Sequence, residues 1–447
     1  MEYSEFLERK SQAASNVGFE PVYMPDFLYD FQKALVEWAV RKGRTAVFAD
    51  CGLGKTPMQL AWSENVVRKT NGKVLILTPL AVSYQTAREA EKFGIEAAVS
   101  RDGKSAPNIT IANYEMLAHF SPDDFAGIVC DESGILKNYS GATRNAIIDF
   151  SKTLRYRLLA TATPSPNDYT ELGNSAEALG VMRRVETLGM YFIHDGGDTQ
   201  GWRLKGHAKH PFWAFVASWA RAVRKPSDLG FADGKYILPP LRNHKHILPS
   251  KAMEGYLFPI TAITLDEQRR ERRETIESRC GKVAEIANSN SDPFIAWCSL
   301  NAEGEMLTKM IGGAVEVSGS LRDEEKEERL LAFSRGEIRA LVSKPSICGH
   351  GMNWQHCASM SVFPSHSHEQ YYQIVRRCWR FGQTRPVDVH VVTTESESAV
   401  VENLERKERE SAELFAQIVA NMSEFYTSNN GRYHAEKKAS VPSWLTA

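Results

Sequence analysis

Residues 45–56, Thr-Ala-Val-Phe-Ala-Asp-Cys-Gly-Leu-Gly-Lys-Thr, read as an apolar, β-prone strand running directly into a phosphate-binding loop. The spacing Ala49-x-x-x-x-Gly54-Lys55-Thr56 is that of a P-loop with Ala in the first glycine position. The residue types suit the chemistry. The backbone of Gly52, Leu53 and Gly54 can bring N–H groups close to a polyphosphate, Lys55 can reach its β and γ phosphates, and the Thr56 hydroxyl can hold Mg2+ where the next helix starts. Pro57 suits the first turn of that helix, where its missing N–H costs little. A glycine turn that happens to precede Lys-Thr would also satisfy these eight positions, so the rest of the chain has to decide.

The chain has 447 residues, 43% hydrophobic and 24% charged, which is ordinary for a globular protein with room for two lobes. Lys and Arg number 54 against 55 Asp and Glu, so no global basic field attracts nucleic acid, and any such site has to be a local patch. The first ten residues lack a charged-then-apolar signal pattern, and no apolar run approaches the roughly 18 residues of a membrane span. Seven Cys with no C-x-x-C pair point to reduced thiols, and we expect a cytoplasmic protein with no membrane partner. Cys348, His350, His356 and Cys357 cluster, with His366 and His368 further on, but their spacing matches no zinc motif.

After a leader of about 25 residues, Phe31, Ala34, Leu35, Trp38 and Ala39 make a helical stripe ended by Lys42-Gly43, with Gln32 at its start. Strand and helix then alternate, with strands expected at 74–78, 109–112, 126–130 and 157–161. Their polar endings should line the C-terminal edge of one parallel sheet. From 181 to 290 the alternation fades. Residues 211–225 read as one amphipathic helix carrying Phe212, Phe215 and Trp219, residues 265–283 as another, and the region as a helical insertion. A second α/β pattern occupies 291–447, with strands expected at 294–298, 315–317, 340–343 and 387–392 and a helical tail after about 396. The expected organisation is therefore lobe 1–180, insertion 181–290 and lobe 291–447.

Asp131-Glu132 directly follows an apolar strand. One carboxylate there can complete a Mg2+ shell while the other orients a water, although an isolated Asp-Glu also starts many helices. In the second lobe Arg377 and Arg380 stand three apart, on one face if that stretch is helical. Guanidinium groups brought to a phosphate held elsewhere act as arginine fingers.

The ordered set Leu28-Tyr-Asp-Phe-Gln32, Cys51 to Thr56, Leu77-Thr-Pro-Leu80, Ile111 to Leu117, Asp131-Glu132 with Leu136-Lys-Asn138, Ala160 to Asn167, Gly349-His-Gly-Met-Asn353 and Gln373 to Gln383 resembles the motif series of superfamily two helicases. Arg380-Phe-Gly-Gln-Thr-Arg-Pro-Val387 and the segment 224–240 resemble, more narrowly, the Swi/Snf-related DNA translocases of compact bacterial and bacteriophage type. The resemblance implies an α/β fold of two RecA-like lobes closing on ATP and Mg2+. It implies Gln32 on the adenine, Gly351 near the nucleotide, Lys55 and Thr56 on phosphates and metal, Asp131 on the metal, Glu132 as the water-activating carboxylate, and Arg377 and Arg380 as fingers. It implies that Thr78, Pro79, Asn113, Tyr114, Ser299, Gly349 and Asn353 face a nucleic-acid backbone. The sequence departs from the family's Asp-Glu-x-His pattern, with Gly134 in the His position.

The expected function is an ATP-dependent translocase on double-stranded DNA. The alternatives are a strand-separating DNA or RNA helicase, with single-stranded nucleic acid or RNA as possible partners, and an ATP-switched DNA-binding recruitment module with weak turnover.

Overall fold

The computed structural model describes residues 16–79, 82–137, 141–165, 168–194, 201–249, 265–348, 352–364 and 367–427. The chain divides into two compact units, Met1–Ala232 with Glu413–Ala447, and Asp233–Ala412.

In the first unit the strands are β1 (Arg44–Ala49), β2 (Lys73–Thr78), β3 (Ala97–Val99), β4 (Ile109–Asn113), β5 (Phe125–Asp131) and β6 (Tyr156–Thr161). A small hairpin follows, β7 (Phe192–His194) and β8 (Trp202–Leu204), and then β9 (Ala220–Val223). Seven of these form one sheet in the order β3-β4-β2-β5-β6-β1-β9, parallel throughout. The central strands are buried along nearly their whole length, as expected for a parallel sheet covered on both faces. One face packs Phe48, Leu75, Leu77 and Leu159 against Phe212, Phe215 and Trp219, with Ile418 and Met422 of the last helix (Ser398–Thr427) in the same cluster.

In the second unit β10 (Leu241–Leu248), β11 (Phe294–Trp297), β12 (Ala314–Val317), β13 (Ala340–Ser343), β14 (Ser359–Val362) and β15 (Val387–Thr394) form a parallel sheet ordered β10-β15-β14-β11-β13-β12. The strand period of two splits its core. Ile295, Trp297 and Leu341 join one hydrophobic cluster, and Phe294, Ala296, Ala340 and Val342 join another. The fold is α/β with two parallel-sheet lobes, as expected. Among the described residues no helix is long and apolar enough to cross a membrane.

The expected insertion over 181–290 is not a third body. β9 extends the first sheet beside β1 and β10 extends the second beside β15. The helix expected over 211–225 stops at Trp219, because Ala220–Val223 leaves it to bond with β1. The aromatics of that helix are core residues, and Arg221 is sandwiched between the rings of Trp38 and Tyr426 at 4.2 and 4.4 Å. The helix expected over 265–283 is two, Leu265–Glu274 and Ile276–Asn288, separated at Thr275.

One buried ion pair stabilises the turn after β11. Arg279, fully buried, meets Glu303 at 2.8 Å and stacks on Phe363. Glu303 also accepts the backbone N–H groups of Ser299 (2.8 Å) and Leu300 (2.9 Å). Removing one member of such a pair strands a charge in the core. Arg279→Met is therefore expected to destabilise the second unit by roughly 3–5 kcal/mol, measured by denaturant unfolding, whereas Arg279→Met combined with Glu303→Leu costs less than Arg279→Met alone.

Candidate active site

β1 ends at Ala49, and the chain turns through residues 50–54 into the helix Lys55–Thr70. Gly52 and Gly54 adopt left-handed backbone, φ +88° and +78°. A Cβ on Gly54 would stand 2.2 Å from Nε2 of Gln32, so glycine is required here on two grounds. That proximity has a use. Gln32 Nε2 donates to the carbonyl of Leu53 (2.8 Å), and its Oε1 accepts from the N–H of Tyr29 (3.0 Å), so the buried Gln32 joins the start of one helix to the loop ahead of the next. Lys55 Nζ donates back to the Ala49 carbonyl at 3.0 Å. Thr56 follows in the helix's first turn and is half-buried. Cys51 is the one cysteine of the seven that is not buried.

Asp131 and Glu132 emerge from β5, which shares β6 with β1. The Asp131 carboxylate is buried and accepts from Gln59 Nε2 at 2.6 Å. Burial, and then the neighbouring Glu132 carboxylate, push its pKa up to about 6, against the opposing pull of Gln59 and Lys55. Glu132 has φ +50°, one of two non-glycine residues in left-handed backbone among those described. Such a conformation costs on the order of 1–2 kcal/mol and persists where its surroundings impose it. Just beyond, Gly134 is buried against the loop after β6. A Cβ there would lie 3.3 Å from Oγ1 of Thr163, so a side chain at this position requires Thr163 to give way. The stretch after β6 that holds Thr161 and Thr163 thus lies beside the carboxylate loop at Gly134.

The residues expected along a nucleic-acid path divide. Thr78 is fully buried with its hydroxyl on Ser83 (2.8 Å). Tyr114 is buried too, and its hydroxyl donates to the backbone carbonyl of Asp131. Neither faces solvent, which corrects the expectation for both: their polar atoms brace strand ends from inside. Asn113 caps the turn 114–119 by accepting from the N–H of Met116 (3.0 Å) and stays partly exposed, as does Pro79. In the second unit Ser299 lines a cleft of about 200 Å3 with Lys344, Ser346 and Gln370, where β11 and β13 end. Asn353 is half-buried, and its neighbour Trp354 donates its backbone N–H to the Arg377 carbonyl (2.9 Å). Gly349 and Gly351, like Leu80, Asn138, Pro166, Asn167, His350 and His366, lie outside the described residues.

Arg377 and Arg380 do not share a helical face. The helix His368–Cys378 ends before Arg380, because Trp379 turns out of it at ψ +79° and donates its indole N–H to the Pro239 carbonyl. Arg377 is buried, with Nε on the Gln373 carbonyl (2.9 Å), Nη2 on Gln373 Oε1 (3.0 Å) and Nη1 on the Met352 carbonyl (3.3 Å). Arg380 is the more exposed of the two. Cys348 and Cys357 are core residues, with Cys348 against the Ser343 hydroxyl and Cys357 on the Pro293 carbonyl. Sequence reasoning missed Gln59 and Lys344. Lys344 had a legible signal, its position immediately after an apolar strand. Gln59 had none, since one turn of helix beyond a P-loop is surface in most registers.

The raised Asp131 pKa has a definite sign. A carboxyl whose pKa rises on folding favours the fold while neutral, so that contribution is complete below 3.8 and is lost as pH climbs through about 6. In metal-free buffer Asp131→Asn should therefore match the wild type near the acid limit, gain stability across this window and hold a gain of roughly 1–3 kcal/mol above it. Unfolding curves across pH read this directly, and equal stability at neutral pH would contradict it.

No family model matches the chain. It is 25% identical to putative protein p41 of Acyrthosiphon pisum secondary endosymbiont phage 1, over 80% of this chain and 91% of that protein. It is 27% identical over 193 residues to the SWI/SNF-related matrix-associated actin-dependent regulator of chromatin subfamily A-like protein 1 of Xenopus tropicalis, over 40% of this chain and 20% of that protein. It is 26% identical over 188 residues to the DNA annealing helicase and endonuclease ZRANB3 of Mus musculus, over 38% of this chain and 17% of that protein. The chain thus spans about a fifth of the animal relatives it matches and nearly all of the phage protein. Among solved structures, the Sulfolobus solfataricus SWI2/SNF2 ATPase core in complex with dsDNA aligns over 90% of this chain and 96% of that one, at 17% identity and a TM-score of 0.42. Over these 188–193 residues the chain is thus similar to Swi/Snf-related proteins, and its P-loop, paired carboxylates and later motifs stand in the order of the superfamily two series that they resemble.

Proposed function

We propose that the chain is a nucleic-acid-stimulated ATPase that translocates on double-stranded DNA. The observation carrying this reading is at the end of β5. A buried carboxylate, Asp131, is held by a positioned amide, and beside it a second, Glu132, sits in strained backbone, on the same sheet edge as a glycine-shaped phosphate loop. Structural salt bridges need no such strain, whereas a water-orienting base benefits from being held away from its neighbour's site.

On this reading Lys55 and the N–H groups of the loop bind the phosphates of ATP, and Gln32 keeps its second N–H and second lone pair for the adenine. Thr56 and Asp131 would hold Mg2+. The donor set fits: both offer hard oxygen, and Gln59 Oε1 is a buried acceptor beside Asp131 with no partner among the described residues, suited to hydrating water. Bound there, the cation neutralises phosphate charge. Glu132 accepts a proton as the oxygen of a water bonds to the γ-phosphorus and the bond to the bridging oxygen breaks, releasing ADP and phosphate. By the family resemblance Arg377 and Arg380 serve the same phosphate, and the better exposed Arg380 is the stronger finger. Pro79, Asn113, Ser299 and Asn353, joined by Lys344, are assigned to a DNA backbone that they track without reading bases. Alternating closure and opening of the lobes would convert turnover into movement. Support for a DNA partner comes from the motif order and from a relative whose name records DNA annealing.

The test is ATP hydrolysis measured in parallel with duplex DNA, single-stranded DNA and RNA. Duplex DNA is expected to stimulate most, and Lys55→Ala and Glu132→Gln to reduce the stimulated rate at least about 100-fold. Equal hydrolysis with and without nucleic acid overturns the proposal, and greatest stimulation by RNA or single strands replaces it with the helicase reading.

A further inference from the structure

β9 stands at the edge of the first sheet beside β1, the strand that runs into the phosphate loop. The two are bonded up to the loop itself. The N–H of Asp50, the first residue after β1, donates to the Val223 carbonyl at 3.0 Å. Backbone groups of an edge strand face its partner at every second residue and face outward at the ones between. Val223 faces β1, so Ala222 before it turns its N–H to the outer edge. Ala222 is fully buried, and an N–H removed from water needs an acceptor. The acceptor is the hydroxyl of Tyr426, at 3.0 Å, from a residue 204 positions further along the chain in the last helix.

The ring of Tyr426 has a second use. It lies 4.4 Å from the Arg221 guanidinium, which in turn lies 4.2 Å from the Trp38 ring. Trp38 belongs to the helix Asp30–Lys42, whose Gln32 holds the far end of the phosphate loop at the Leu53 carbonyl. Both ends of the loop are thus tied to elements that Tyr426 touches: Asp50 through β9, and Leu53 through Arg221, Trp38 and Gln32. Tyr426 is itself held in place. Ile418, Val419 and Met422 of its helix are buried in the core of the first unit, and Phe425 lies against His210 at 5.3 Å. Gln417 Oε1 also accepts from the Tyr169 hydroxyl at 2.5 Å. That last bond fastens the helix without touching β9 or the helix Asp30–Lys42, so it supplies a comparison.

We infer that Tyr426 is a positioning residue for the phosphate loop. Its hydroxyl keeps β9 against β1 where the loop begins, and its ring backs the Arg221–Trp38 contact behind Gln32. For its effect on nucleotide the inference rests on the ATP reading proposed above; for its effect on the loop it does not.

Cys51 lies in the loop and is the one cysteine of the seven that is not buried, so its alkylation rate reports how the loop is held, with Cys51→Ala identifying its phase. The full chain as wild type, Tyr426→Phe, Tyr426→Ala and Tyr169→Phe is compared by maleimide alkylation, by anisotropy of fluorescently labelled ADP and by thermal unfolding. One hydrogen bond of ordinary net strength corresponds to roughly 2- to 12-fold in an equilibrium. Tyr426→Phe is expected to raise both the Cys51 alkylation rate and the ADP dissociation constant by roughly that factor while unfolding cooperatively, and Tyr426→Ala, which loses the ring as well, to raise them further. Tyr169→Phe should keep wild-type values. Wild-type alkylation and ADP affinity in Tyr426→Phe overturn the inference, and so does an equal change in Tyr169→Phe, which would make the effect a general loosening. Faster alkylation with unchanged ADP affinity also overturns it. If the wild type binds no ADP, the ATP reading falls, and faster Cys51 alkylation in Tyr426→Phe alone still supports the brace on the loop. Tyr426→Phe keeps the ring, so the comparison holds even where Tyr426→Ala does not fold.

Discussion

In a parallel sheet every strand delivers its C-terminal end to the same edge, and that constraint organises the first unit. β1 contributes the phosphate loop there, β5 the carboxylates and β6 the stretch containing Thr161 and Thr163, with β6 hydrogen-bonded between the other two. No side chain has to reach far. Three buried contacts then set the geometry: Gln32 on the Leu53 carbonyl, Gln59 on Asp131, and Tyr114 on the Asp131 backbone. Each tethers one motif to another, so the motifs form one connected object rather than a row of independent loops.

The same connection makes the site costly to the fold. Asp131 is desolvated beside another carboxylate, and Glu132 is held in a conformation that non-glycine residues avoid. Stability is gained elsewhere, in the two-sided apolar sheets. Under the proposed function a bound cation would relieve the first strain by offsetting the charge of the buried Asp131 beside the half-buried Glu132. Gly134 stands where the series that the sequence resembles has histidine. At that position a Cβ would lie 3.3 Å from Thr163 Oγ1, so a larger side chain would have to displace the neighbouring loop.

Much of this was legible in the sequence. Long, continuously apolar strands such as β2, β5 and β6 announce themselves, and Lys55, Asp131 and Glu132 follow from motif spacing. Five elements did not. β3, Ala-Ala-Val, is a three-residue edge strand. β9 continues a helical apolar period without a turn signal. β10 is an edge strand whose alternating polar residues resemble a loop. β14, Ser-Met-Ser-Val, is too short and mixed, and the β7–β8 hairpin is six residues held by packing. Site residues failed for a different reason. A polar residue at a strand end can face outward or brace the turn, and Thr78 and Tyr114 brace. Arg380 escaped its helix because Trp379 ends it, a tertiary event that periodicity cannot foresee.

The central claim is that the phosphate loop and the carboxylate pair form an ATP site energetically linked to a duplex DNA site. The most direct measurement uses Glu132→Gln to suppress turnover and determines the affinity for ATP with and without duplex DNA, and for duplex DNA with and without ATP. Linkage predicts that each ligand changes the other's affinity by the same factor, on the order of 5- to 150-fold. Affinities that are independent of one another, with both ligands bound, would contradict it.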